Sequence, residues 1–332
     1  MLSSSIIYLV IIVILALVFD FINGFHDCAN AIATTVSTRV MTLRQAIFMS
    51  AAFNFIGAFM STAVAKTIGN GLVSPKNISS EVIIAALIGA IAWNLITWYF
   101  AIPSSSSHAL IGGLIGAAMT YTTTVGVVDW MNFFWKIALW VFLSPVIGFI
   151  VGYLIMTLLN HLLKKTRPAA VTAIFSKLQI VSAMLMALNH GGNDAQKSMG
   201  IIAMALVSGG MIATFEVPTW VKISCAIAMA VGTAVGGKKI IKTMGTNMAR
   251  LAPVNGFAAE TSAAAIIFTA TMLHAPVSTT HIISTSIMGV AASKRVTAVK
   301  WILAKDIVTA WIITIPASAL ISAIIMMLFK VI

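Results

Sequence analysis

The sequence predicts an all-α polytopic membrane protein made of two inverted-topology repeats, with broken helices and paired helical hairpins. Three observations predict it: too little charge to cover a soluble surface, a series of bilayer-length apolar stretches, and two motif pairs that recur in the same order. Of 332 residues, 60% are hydrophobic and only 8% are Asp, Glu, Lys or Arg, where a soluble domain carries about 25%. The mean hydropathy is +1.04. The 20 Lys and Arg outnumber the 8 Asp and Glu, but they form short clusters between apolar runs. That is the bias of a membrane protein's cytoplasmic loops, and no nucleic-acid partner is predicted. Cys28 and Cys225 lie in apolar stretches without disulfide or zinc spacing.

At 1.5 Å per residue, about 20 apolar residues cross the hydrocarbon layer. Candidate spans are 6–36, 45–66, 82–102, 104–120, 131–160, 170–208, 219–235, 257–273, 276–292 and 300–329. The first has no Lys or Arg ahead of it, so it is read as a retained span rather than a cleaved signal. Spans 6–36 and 170–208 are too long for one straight crossing, and the polar stretches Asn23 to Asp27 and Asn189 to Asp194 interrupt them. Both are expected to be broken helices.

The loops set the topology. Assigning the clusters Arg39/Arg44, Lys164/Lys165/Arg167, Lys238/Lys239/Lys242/Arg250 and Lys294/Arg295/Lys300 to the cytoplasm, and the linkers near 67–81, 121–130 and 209–218 to the other side, makes 82–120 and 257–292 helical hairpins. Residues 1–165 and 166–332 then form repeats of opposite orientation, with both termini extracytoplasmic.

The motifs support duplication directly. Gly24-Phe25-His26-Asp27-Cys28-Ala29-Asn30 corresponds to Gly191-Gly192-Asn193-Asp194-Ala195-Gln196-Lys197, 167 positions later. Pro103-Ser104-Ser105-Ser106-Ser107-His108 corresponds to Pro276-Val277-Ser278-Thr279-Thr280-His281, 173 positions later. Inverted repeats whose polar segments meet at mid-membrane are a transporter signature.

An Asp at the bilayer centre costs roughly 2.5–3.5 kcal/mol on insertion scales, so Asp27 and Asp194, at matching points of the two halves, call for a function. Beside backbone carbonyls freed by a break and the amides of Asn23, Asn30, Asn189 and Asn193, they suit a proton or a Na⁺ ion. Asp20, seven residues before Asp27, is read as a supporting residue or a plain cap. The Ser/Thr clusters follow prolines and open helices, where unpaired N–H groups, hydroxyls and a positive dipole end bind an oxyanion. Ser104, Ser105, Ser106, Ser107, Ser278, Thr279 and Thr280 are the candidate ligands. Gln196 can donate to the anion through its amide, and Lys197 is a counter-ion for Asp194, an oxyanion ligand, or both. His108 and His281 read as orienting residues. His26 places a titratable group where the second repeat has Asn193. Two carboxylates beside an anion site repel the anion unless a cation arrives with it, which predicts symport.

These motifs, which span essentially the whole chain, resemble the inorganic phosphate transporter (PiT) family. The resemblance implies a low-affinity bacterial plasma-membrane symporter of inorganic phosphate, assembled as a homodimer and coupled to H⁺ or Na⁺, with phosphate in some members carried as a complex with a divalent metal. It implies no resident cofactor. By motif match Asp27 and Asp194 become the coupling-ion carboxylates, metal ligands if the ion is sodium, with Asn30 and Asn193 beside them. Ser105, Ser106, Ser278, Thr279 and Thr280 become phosphate ligands, assisted by Gln196. Gly24-Phe25-His26-Asp27 departs from the family's common Gly-Ala-Asn-Asp and resembles the form of proton-coupled members.

The nearest alternative substrate is sulfate or another tetrahedral oxyanion. Phosphate donates as well as accepts hydrogen bonds, so a buried carboxylate acceptor favours it. A hydrolase is not expected, because Ser106 or Ser107 and His108 are too close in sequence to face one another on a helix, and no Gly-x-Ser-x-Gly is present. Paired buried carboxylates also argue against a continuous channel.

Overall fold

In a computed structural model, which describes residues 2–71 and 78–331, every regular element is helical. Residues 72–77 of the linker expected at 67–81 lie outside the described residues. The first half comprises α1 (Leu2–Ser37), α2 (Leu43–Gly57), α3 (Ala63–Gly71), α4 (Ser80–Tyr99), α5 (Ser106–Thr122), α6 (Trp130–Asn132) and α7 (Leu139–Leu163). A π-helical turn, Phe133–Ala138, joins the last two. The second half comprises α8 (Pro168–Ser208), α9 (Thr219–Val235), α10 (Lys238–Lys242), α11 (Pro253–Met272), α12 (Thr279–Ala292) and α13 (Trp301–Val331). Among the described residues, five helical stretches are long and apolar enough to cross a membrane, or six if bent α9 and α10 count as one. Phe142, Leu154, Ile302 and Leu320 are among many large apolar side chains left exposed on the outer faces, a surface suited to lipid. The protein is a multi-pass membrane protein.

The halves are built alike. Ser105 caps α5 by accepting from His108 N–H at 3.3 Å, and Ser278 caps α12 by accepting from His281 N–H at 3.2 Å. Both hairpin tips turn through a left-handed residue, Ala101 (φ 57°) and His274 (φ 59°), followed by an N–H reaching back to Thr97 O or Ala270 O, a helix-terminating motif. Trp130 and Trp301 donate to Val125 O and Val296 O at 2.9 and 3.0 Å. Pro145 and Pro316 fall inside α7 and α13. Packing is reciprocal across the halves: α5 lies against α13 and α12 against α7, while α1 packs on α9 and α8 on α2.

The expected breaks are in the wrong helices. Both α1 and α8 run unbroken through their polar motifs, for 36 and 41 residues. The discontinuities lie instead in the second element of each half, between α2 and α3 and between α9 and α10, where the chain bends by 68°. The glycines of α1 and α8 serve close packing rather than chain reversal. A Cβ on Gly24 would stand 2.3 Å from Met229 O, and one on Gly191 would stand 2.2 Å from Asn54 O. Helices in lipid approach through such small residues, and keeping the helical ladder avoids orphaned backbone groups that cost several kcal/mol in hydrocarbon. No break in α1 or α8 frees backbone carbonyls at the motifs, so the oxygens they offer a cation there are side-chain oxygens.

Candidate functional site

The polar motifs of four helices converge in one buried cluster. On α1, the Asp27 carboxylate lies 2.6 Å from His26 Nδ1 and accepts from Ser106 Oγ, in the first turn of α5, at 3.1 Å. On α8, the Asp194 carboxylate lies 2.8 Å from Lys197 Nζ and accepts from Thr279 Oγ1, in the first turn of α12, at 3.3 Å. Two cross-links join these centres. Lys197 Nζ donates to Ser106 Oγ at 3.4 Å, and Asn30 Nδ2 donates to Thr279 Oγ1 at 3.2 Å and Thr280 Oγ1 at 2.9 Å. Polar contacts thus circle from Asp27 through Ser106, Lys197, Asp194 and Thr279 to Asn30, one turn beyond Asp27. Each residue in this ring exposes at most 2% of its surface, so the cluster is closed off within the protein.

The ring follows the repeat. Adding 167 to positions 27 and 30 gives 194 and 197, and adding 173 to 106 gives 279. Each Asp accepts from the hydroxyl that opens its own half's hairpin helix, and residue 30 or 197 reaches the hydroxyl of the other half.

One oxygen from each of Asp27 and Asp194 and a ring nitrogen of His190 lie within 4.8 Å of one another, close enough to share a small cation. His190 Nε2 is 3.4 Å from Asp194, and its Nδ1 contacts Asn54 Oδ1 at 3.1 Å. Two carboxylates and one ammonium meet here, with His26 and His190 beside them. An anion binding here must bring or find positive charge. Its donors are at hand in the hydroxyls and N–H groups at the starts of α5 and α12.

Other candidates sit around the ring. Ser104 Oγ donates to Thr97 Oγ1 at 2.9 Å, and Thr97 contacts His26 Nε2 at 3.1 Å. Ser107 Oγ donates to Val277 O at 3.2 Å, tying the two hairpin tips together. Asn193 Nδ2 donates to Thr271 Oγ1 at 3.0 Å. Asp20 and Asn23 are fully buried, Asp20 beside Ser198 and Cys225. His108 and His281 meet edge to face at 4.6 Å, and His281 stacks on Trp311 at 3.8 Å. Trp311 Nε1 donates to Pro103 O at 3.1 Å, so this stack links both helix starts.

Two expectations need correction. Gln196, expected to donate to the anion, spends its amide elsewhere. Its Oε1 accepts from Val64 and Ala65 N–H at 2.8 and 3.2 Å, and its Nε2 donates to Gly192 O. It thereby satisfies orphan donors at the start of α3, the need that a helix break creates. Cys28 Sγ does the like at the other break, accepting from Gly237 N–H at 2.9 Å. Asn189 is turned out of the cluster and donates to Leu185 O at 2.9 Å.

A second buried carboxylate site was not anticipated. Glu260 of α11 accepts from Thr34 and Thr35 of α1 at 2.5 and 2.7 Å, and from Gln179 and Ser182 of α8 at 3.1 and 2.5 Å. The signal was available, since Glu260 is an acid inside an apolar span. It stood outside both repeated motifs. Thr97 and Asn54 were likewise reached only through their contacts.

A family model described as the phosphate transporter family matches residues 23–322. The chain is 50% identical over 318 residues to a probable low-affinity inorganic phosphate transporter of Bacillus subtilis, covering 95% of both chains. It is 51% identical over 317 residues to a protein of the same description from Rhizobium meliloti, covering 95% of this chain and 94% of the relative. Among solved structures it resembles one described as the sodium-dependent phosphate transporter, with a TM-score of 0.87, 25% identity, and 98% and 99% of the two chains covered.

Proposed function

The chain belongs to the phosphate transporter family, and we propose that it is a symporter importing inorganic phosphate across the plasma membrane by alternating access about the Asp27–Asp194 cluster. The observation that carries this reading is the ring itself, in which two membrane-embedded carboxylates each accept a hydroxyl from the opening turn of a hairpin helix. Phosphate would lie against the first turns of α5 and α12, held by Ser106, Ser107, Thr279, Thr280 and their N–H groups, with Lys197 beside it. The coupling ion, H⁺ or Na⁺, would be held at Asp27 with Asn30 and His26, and with Asp194 and His190 within reach. Two carboxylates beside the anion make anion and cation binding mutually favourable, the linkage that symport needs.

The halves 1–165 and 166–332 would be inverted repeats that rock against each other. The matched caps, hairpin tips and reciprocal packing support that division. The protein would work as a homodimer in the inner membrane, carrying phosphate free or with a divalent metal.

Phosphate uptake into proteoliposomes, under separately imposed Na⁺ and pH gradients with and without Mg²⁺, tests the proposal. Concentrative uptake driven by one gradient is the expected result and names the coupling ion. Uptake indifferent to both gradients, or displacement of phosphate by equal sulfate, would overturn it.

A further inference from the structure

The repeat alignment pairs Asn30 with Lys197, and the structure puts them in equivalent places: each reaches across to the first-turn hydroxyl of the other half's hairpin helix, Asn30 to Thr279 and Lys197 to Ser106. They differ in charge. Asn30 is a neutral amide three residues from Asp27, whereas Lys197 ends in an ammonium 2.8 Å from Asp194. The carboxylates and the hydroxyls they accept from correspond, Asp27 with Ser106 to Asp194 with Thr279, while the histidine and asparagine before each Asp exchange places, Asn23 and His26 against His190 and Asn193.

We propose that the Lys197 ammonium is a tethered cation that takes the place of a second coupling ion, so that one monovalent cation accompanies each phosphate and only the Asp27 centre needs filling. The inference rests on the symport reading of this same site. A lysine ammonium is a compact point charge with three donors, and here it bridges a carboxylate and a hydroxyl oxygen, as a bound Na⁺ would. It is covalently held, so it neutralises Asp194 throughout the cycle and cannot be carried across. Lys197 is 1% exposed and Asp194 0%, and such a buried pair stays charged only while both partners remain.

The consequence is a latent cation site. Replacing Lys197 with the residue of the other repeat, Lys197→Asn, would leave Asp194 with uncompensated hard oxygens: its own carboxylate, Thr279 Oγ1 at 3.3 Å and the introduced amide oxygen. That is a donor set for Na⁺.

The test measures ²²Na⁺ and phosphate binding to purified, monodisperse protein at fixed pH. Lys197→Asn should bind one more Na⁺ per protomer than the wild type. Its phosphate affinity should fall roughly 10-fold or more without Na⁺ and recover as Na⁺ is added. Lys197→Arg, which keeps the charge, should match the wild type in Na⁺ count. A merely structural role for Lys197 would give a loss that Na⁺ does not rescue, and that result, or an unchanged Na⁺ count, would overturn the inference. A wild type that binds no phosphate would instead overturn the parent reading. If Lys197→Asn does not fold, Asn30→Lys asks the same question of the other centre. It should abolish gradient-driven accumulation while phosphate counterflow persists, and an unchanged coupling ratio there would overturn the inference.

Discussion

Asp27 and Asp194 occupy corresponding turns of α1 and α8 and accept from corresponding hydroxyls, yet Asp27 has a histidine beside it and Asp194 a lysine. The histidine and the asparagine also exchange places between the halves: Asn23 and His26 precede Asp27, whereas His190 and Asn193 precede Asp194. In the proposed reading, Lys197 keeps one of two matching carboxylate centres permanently compensated, and the other depends on an ion that comes and goes. A symporter needs such a division, because a centre that is always neutral cannot report the gradient, and one that is never neutral cannot admit the anion.

The largest effect that sharpens this contrast is in stability. Asp194→Asn strands the buried Lys197 ammonium and should cost about 3–5 kcal/mol, read as a lowered unfolding midpoint in detergent. Asp27→Asn leaves a neutral pair with His26 and should cost about 1 kcal/mol. Both variants should lose coupled phosphate uptake. Equal destabilisation by the two would break the comparison.

A second contrast lies nearer the other ends of α1 and α11. The repeat positions matching Glu260, Thr34, Thr35 and Gln179 are Leu87, Ile201, Ile202 and Ile12, all in a buried apolar cluster. The fold thus accepts either an apolar or a polar junction at this point. Glu260→Leu should nevertheless cost about 2–3 kcal/mol, because it leaves the donors of Thr34, Thr35, Gln179 and Ser182 buried and unpaired. Glu260→Gln should cost less, and thermal unfolding of the two variants side by side measures the difference.

Where the halves agree, variants should agree. Ser105→Ala and Ser278→Ala each remove a helix cap and should lower stability by about 1 kcal/mol, with a matching weakening of phosphate affinity by direct binding. A large disparity between them would show that the two helix starts do not face the anion alike. Asn189→Ala removes only a bond to the backbone of its own helix. It should change stability by no more than about 0.5 kcal/mol, with uptake unaltered.

The site was more legible in the sequence than the backbone carrying it. An Asp inside an apolar span is costly wherever the chain goes, so Asp27 and Asp194 were marked by composition alone, and the repeat marked Ser106, Thr279, Asn30 and Lys197 with them. Gly24 and Gly191 misled, since a glycine in a long helix signals either a break or a close approach, and only the neighbouring backbones of α9 and α2 decide which. Gln196 misled for a related reason. Its amide suits an anion as well as a peptide group, and the start of α3, where two N–H groups lacked partners, was not visible from the motif. Glu260 was missed because its partners are 78 to 226 positions away.

The sequence by itself determined that this chain is a helical protein of the bilayer, that two polar motifs recur in it in the same order, and which acids and hydroxyls were candidates to meet, because the cost of burying charge and the spacing of motifs are written in residue order. Tertiary structure alone decided which helices bend, which amides are spent on those bends, and that Lys197 closes on Asp194 and Ser106 while Asn30 closes on the opposite hydroxyls. Those outcomes turn on distances between segments far apart in the chain, and a hydrogen bond exists only where packing brings its two atoms within about 3 Å.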